Sequence, residues 1–192
     1  RQPRSQANNL LTSRYVMTWK RQTLASLDIL QAFLKGLTFD EVQKVKGGPK
    51  RVVSMCLPRA RRYIEPSGSA LIRQLKGYED FNDSLEVLEM LKGGFGLVDA
   101  PNMFTCRVDQ VFKENDIKPT LADQKIHMYF DKQHKLQLLV SAHMDDFKAT
   151  GQMETLKWLH SILCKHFGQD VKMDIAKEFI HTGIKHTIID DG

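Results

Sequence analysis

The stretch that most constrains this chain is KLQLLVSAHMDDFKATG, residues 135–151, where an apolar run ends on two adjacent aspartates. Leu136 to Met144 is long enough for a strand and far too short to cross a bilayer. If the strand simply continued, the side chains of Asp145 and Asp146 would point to opposite faces. A tight turn between two strands lets both sit at the tip and address one site. Carboxylate oxygens are the ligands Mg²⁺ prefers, and two such ions side by side stabilise the attacking and leaving oxygens of phosphoryl transfer. Asp is also an ordinary turn residue, so on its own the pair reads first as a polar hairpin tip.

A third carboxylate shifts that balance, and Asp28 is the candidate. It closes the strand expected over Leu24 to Leu30, just before the helix-compatible QAFLKG. Lys125 to Phe130 and Lys135 to Met144 read as strands joined across the polar DKQH, a hairpin. Phe104, Val108, Val111 and Phe112 recur at helical spacing, which predicts an amphipathic helix to about Asn115, with Asp99 as its cap and Pro101 in its first turn. A second helix is expected from Met153 to His166, with Leu156, Leu159 and Leu163 on one face and Gly168 as its C-cap. Further strands are expected at Arg14 to Trp19 and within Glu178 to His186. SLEVLEML, residues 84–91, fits strand or helix, and Thr38 to Ser69 has no readable period beyond turns at Gly47-Gly48-Pro49 and Pro66-Ser67-Gly68. The sum is an α+β chain.

Three blocks in this order resemble a known family. LDILQAFLKG (Leu27 to Gly36) resembles the first catalytic motif of copia-type retrotransposon reverse transcriptases, in which a strand-end Asp precedes Ala-Phe-Leu-x-Gly. KGGFGLVDAP (Lys92 to Pro101) is similar to their next block, and AHMDDFKATG (Ala142 to Gly151) to their Val-Asp-Asp box with its trailing Gly. SRYVMTWK (Ser13 to Lys20), Asp123, HFG (His166 to Gly168) and FIHTGIKH (Phe179 to His186) are smaller echoes. The resemblance covers most of the chain and implies one partial polymerase domain over residues 1–192. Residues 1–23 would be a remnant of the fingers and 24–192 a palm-like antiparallel sheet with flanking helices.

The implied activity is RNA-directed DNA polymerisation: deoxynucleotides are added to a primer 3′ end with two Mg²⁺ ions, or Mn²⁺ in their place. Asp28, Asp145 and Asp146 would be the catalytic metal ligands, with Asp146 the more peripheral. Phe33 would pack under the nucleotide sugar and exclude a 2′-hydroxyl, while Ala32 presents backbone to the triphosphate. Phe95 and Gly96 would lie against the templating base pair. The implied partners are an RNA or DNA template with its primer, a dNTP, and the other domains of a Pol polyprotein. Membrane is not among them.

The departures from the family pattern bear on activity. Only RQTLASL separates Lys20 from Asp28, where the family has a long fingers segment with triphosphate-binding residues. Asn102 stands in place of its Arg, Phe104 in place of its Trp, and Met144 in place of its Val. The chain starts with Arg and stops at Gly192, so a fragment lacking thumb and ribonuclease H domain is expected. A decayed or domesticated remnant that binds nucleic acid without catalysis is therefore the alternative, and a metal-dependent phosphotransferase of another kind is a third.

Charge is unevenly spread along the chain. Residues 1–76 carry 15 basic and 4 acidic side chains, against 13 and 19 in the remainder. A basic half suits a polyanion, although solvated faces give the same count. The basic N-terminus has no apolar core for a secretory signal, and three scattered cysteines (Cys56, Cys106, Cys164) make no disulfide framework, so an intracellular location is expected. His160, Cys164 and His166 are too few for a zinc site, which needs about four ligands. The GGFG turn lacks the Lys-Ser/Thr of a phosphate-cradling loop.

Overall fold

The computed structural model describes residues 23–57, 68–175, 178–181 and 184–187. The expected strand at Arg14 to Trp19, the Arg59, Arg61 and Arg62 cluster, and the fingers remnant up to residue 22 lie outside these. In chain order the elements are β1 (Thr23–Asp28), a 3₁₀ helix (Ala32–Lys35), α1 (Phe39–Lys46), β2 (Ser54–Met55), α2 (Gly68–Ile72) and β3 (Leu88–Glu89). There follow α3 (Ala100–Glu114), β4 (Lys118–Pro119), β5 (Ile126–Phe130), β6 (Leu136–His143), β7 (Asp146–Gly151), α4 (Met153–Phe167), β8 (Lys172–Ile175), β9 (Glu178–His181) and β10 (Ile184–Thr187). The chain is α+β, as expected.

Six strands form one sheet in the order β4-β5-β6-β7-β1-β8, antiparallel at each pairing. The alternation of the strands gives the sheet two unlike faces. Ala25 and Leu27 of β1, Leu138, Val140 and Ala142 of β6, and Phe147 and Ala149 of β7 are all buried in one cluster. The same cluster takes Phe104, Val108, Val111 and Phe112 from α3, and Leu156, Leu159, Leu163 and Phe167 from α4. Both long helices thus cover one face. The other carries Ser26 and Asp28 of β1, Ser141 and His143 of β6, and Asp146 and Lys148 of β7, none of them buried.

Local chemistry accounts for the boundaries. Pro101 sits in the first turn of α3, where its missing N–H is no loss. Asp99 holds the N-cap position but its side chain does not cap; Arg51 takes its carboxylate in an ion pair instead. Gly168 ends α4 with φ 101°, and its N–H donates to the Cys164 carbonyl at 2.9 Å. In the β5–β6 connection, Asp131 Oδ1 accepts from the backbone N–H of Gln133 (2.8 Å) and Lys135 (2.9 Å), which closes the DKQH turn.

Other features depart from the expectations too. In place of one strand within Glu178 to His186 there are two short ones, β9 and β10, paired with each other. SLEVLEML contributes only the two-residue β3, paired with β2. α1 lies inside the stretch that had no readable period, opened by a capping box: Glu41 N–H donates to Thr38 Oγ1 (3.1 Å) and Thr38 N–H to Glu41 Oε2 (2.7 Å). β8 was not expected, and it pairs with the second edge of β1.

Phe147 is fully buried between β7 and α3, with its ring 6.2 Å from that of Phe112. Phe147→Ala is expected to destabilise the fold by about 3–5 kcal/mol through the cavity it leaves. The exposed loop change Lys132→Ala should stay within about 0.5 kcal/mol. Urea unfolding followed by circular dichroism measures both.

Candidate functional site

β1 and β7 pair so that Asp28 is the register partner of Asp146, and Ile29 N–H donates to the Asp145 carbonyl at 3.3 Å. Ile29 and Asp145 are therefore a hydrogen-bonded pair. By the alternation of antiparallel ladders, Asp28 and Asp146 are a non-hydrogen-bonded pair, whose Cα atoms stand about 4.5 Å apart with side chains at their closest. The ladder extends to both sides: Lys172 of β8 is the other partner of Asp28, and His143 of β6 the other partner of Asp146. One row across the open face thus reads Lys172, Asp28, Asp146, His143. The next row reads Asp174, Ser26, Lys148, Ser141.

The β6–β7 corner is a two-residue turn of Met144 and Asp145. Met144 has φ 54°, a left-handed conformation usually filled by glycine in hairpins of this size. The turn leaves Asp145 at the tip, half-buried, beside the start of β7. The corner expected from the sequence is present, with the two aspartates on its tip and its outgoing strand.

Two carboxylates opposite each other repel, and Lys148 answers that repulsion. Its Nζ donates to Asp146 Oδ1 at 2.5 Å and to Ser26 Oγ at 2.6 Å, and its side chain is only 10% exposed. Asp146 and Lys148 lie two apart on β7, hence on one face. The D-x-K spacing is the signal for this pair in the sequence.

Carboxylate oxygens are the right donors for Mg²⁺ or Mn²⁺, and the register brings Asp28 and Asp146 into one row with Asp145 next in the chain. With Lys148 seated on Asp146, no group of three His, Cys, Asp or Glu side chains among the described residues is gathered closely enough to hold a metal ion as the side chains stand. The donor set suits a divalent cation, while its present arrangement holds an ammonium.

The residues expected to touch a nucleotide follow β1. Ala32 is buried in the 3₁₀ helix, and Phe33 packs on the core and edge-on against Phe95, with ring centroids 6.2 Å apart. Two blocks distant in the sequence thus meet through these rings. Phe95 is 68% exposed, and Gly96 beside it has φ 87°, a conformation that favours glycine. Gly36 anchors the block from the other end, since a Cβ there would lie 2.9 Å from the Phe104 backbone nitrogen of α3. Lys35 adds a tether, its Nζ donating to Asp170 Oδ1 (3.0 Å) and Oδ2 (3.1 Å) after α4.

The described residues carry three other features. An apolar groove of about 400 Å³ runs between the 3₁₀ helix and β3, bordered by Leu34, Met55, Ile72, Leu75 and Tyr78. His127 is buried, 3.7 Å from Asp109, with its ring edge-on to Phe112 and its Nδ1 without a partner among the described residues. His160 Nε2 lies 2.9 Å from the Val171 carbonyl and 3.5 Å from Cys164 Sγ, and burial raises the Cys164 thiol pKa.

No protein-family model, curated protein or solved structure matched the chain.

The hydrogen bonds from Lys35 chiefly hold the Asp170 carboxyl below its ordinary pKa. A carboxylate depressed in the folded state stabilises it above the unfolded value of about 3.9 and ceases to do so as pH falls through the native value. Asp170→Asn is therefore expected to lower the urea midpoint slightly at pH 7, and the difference from the unchanged protein should vanish in acid below that value.

Proposed function

We propose that the chain is the palm of an RNA-directed DNA polymerase of the copia retrotransposon type, a nucleotidyltransferase that extends a primer 3′ end with deoxynucleotides. The observation that carries the reading is the pairing of Asp28 with Asp146 across β1 and β7, next to the Asp145 corner. Two blocks that resemble the family in sequence thereby meet at one end of the sheet. The meeting of Phe33 and Phe95 supports the same reading, because both belong to blocks with an implied nucleotide role.

In this mechanism Asp28, Asp145 and Asp146 would hold divalent ions, whose chemistry would be to lower the pKa of the primer hydroxyl and to neutralise charge on the triphosphate. Asp28 ends a strand paired on both edges, and Asp145 lies on a tight two-residue turn, so the backbone that carries each is held in place. That rigidity suits carboxylates that must present oxygens in fixed directions. Phe33, wedged between the core and Phe95, would form the floor of the sugar site and exclude a 2′-hydroxyl. The template and primer would be gripped through phosphates by basic side chains, since a polymerase copies any sequence.

A second reading is a remnant that binds nucleic acid without catalysis. The observation favouring it is the seating of Lys148 on Asp146.

Primer extension on a poly-rA template with Mg²⁺ or Mn²⁺ separates the two. The polymerase reading expects product that is lost in Asp28→Asn and Asp145→Asn, with both variants folded. A folded protein that makes no product, yet binds an RNA–DNA duplex with affinity falling steeply as salt rises, establishes the remnant instead.

A further inference from the structure

We propose that the groove between the 3₁₀ helix and β3 is the docking site of this chain's own basic N-terminal segment, with Leu10 and Leu11 as the apolar anchors. The inference goes beyond the polymerase reading and does not rest on it, since it invokes neither the carboxylates nor a nucleotide.

Three observations carry it. The groove measures about 400 Å³, and Leu34, Met55, Leu75 and Tyr78 on its border are each between 40% and 53% exposed. Large apolar side chains gathered around one concavity mark an interaction site, whereas the same residues scattered singly would not. Next, residues 77–89, which supply Tyr78, Leu88 and Glu89 to the groove, carry five acidic side chains and no basic one, and all five are exposed. Glu89 has Lys50 at 3.7 Å, but Glu79, Asp80, Asp83 and Glu86 make no ion pair among the described residues. Finally, residues 1–22 carry five basic side chains and no acidic one, with Leu10 and Leu11 adjacent among them. An apolar groove beside unpaired negative charge fits an apolar segment flanked by positive charge, and the same chain supplies one.

Length permits the contact. β1, about 20 Å long, separates Thr23 from the 3₁₀ helix at the edge of the groove. Residues 12–22 can span about 36 Å when extended, enough to bring Leu11 back along β1 to Leu34 and Leu75. Joined by so short a link, the segment meets the groove at an effective concentration on the order of millimolar, so modest contacts suffice.

The test places p-benzoylphenylalanine in position 11 of the full chain, irradiates it and maps the products by peptide mass spectrometry, with folding checked by circular dichroism. Crosslinks to Met55, Leu75 or Tyr78 within a single chain are expected. Leu75→Lys, which sets a positive charge where the basic segment would lie, should cut their yield about fivefold or more. Leu34→Lys on the other side of the groove should do the same, and it serves as the measure should Leu75→Lys not fold. Crosslinks that join two chains, crosslinks to another surface, no crosslink at all, or a groove crosslink that the folded lysine variants leave undiminished each overturn the inference.

Discussion

The pairing of β1 with β7 is the contact on which both the core and the polar face depend. In this ladder, Leu27 faces Phe147 on the buried side and Asp28 faces Asp146 on the open side. Because side chains alternate, these two facts are one fact. A slip of a single residue would turn Phe147 out of the core and carry its neighbouring aspartate in. The apolar face therefore sets the register, and the register sets where the carboxylates meet. No direct attraction between Asp28 and Asp146 is needed, and electrostatics alone would hold them apart.

What makes that row tolerable is the charge around it. Lys148 sits one row away and reaches Asp146, while Lys172 and His143 flank the two aspartates in the ladder. The open face is thus a checkerboard of both signs, and its charges sit on strands held by the core beneath. The tethers around the Phe33 block, Gly36 against α3 and Lys35 on Asp170, are of a different kind. They join loop segments to helices, and they fix where the block lies relative to β1 rather than its charge.

The long elements were legible because each has a period or a terminator of its own. α3 shows Phe104, Val108, Val111 and Phe112 on one stripe, α4 ends on Gly168, and the β5–β6 hairpin is marked by DKQH. β8 and the β2–β3 pair carry too few residues for a pattern, and their existence depends on partners far away in the chain. α1 was written in Thr38 and Glu41, three apart, but without an apolar stripe strong enough to draw attention to them. For the site, Asp28 and the Asp145–Asp146 corner were readable as strand ends. Their meeting was implied only by the resemblance and by no local pattern, because antiparallel register between distant segments is set by packing that no local window contains. The same holds for Lys148: its spacing from Asp146 is local, but its second tether, Ser26, belongs to another strand.

The order of the strands has a consequence for how the chain comes to be folded. β1 is the first described strand, yet it lies inside the sheet, and its two neighbours, β7 and β8, come from the far end of the sequence. During synthesis, Ala25 and Leu27 emerge long before the residues of α3, β6, β7 and α4 that share their core cluster. The β5–β6–β7 meander can form locally as it appears, whereas β1 must wait to be inserted between β7 and β8. Pairings that close so long a loop are slow to form and expose apolar strand edges meanwhile. The end of the sheet bearing Asp28 and Asp146 is accordingly among the last parts to be assembled, and the one most open to capture by another chain before it is finished.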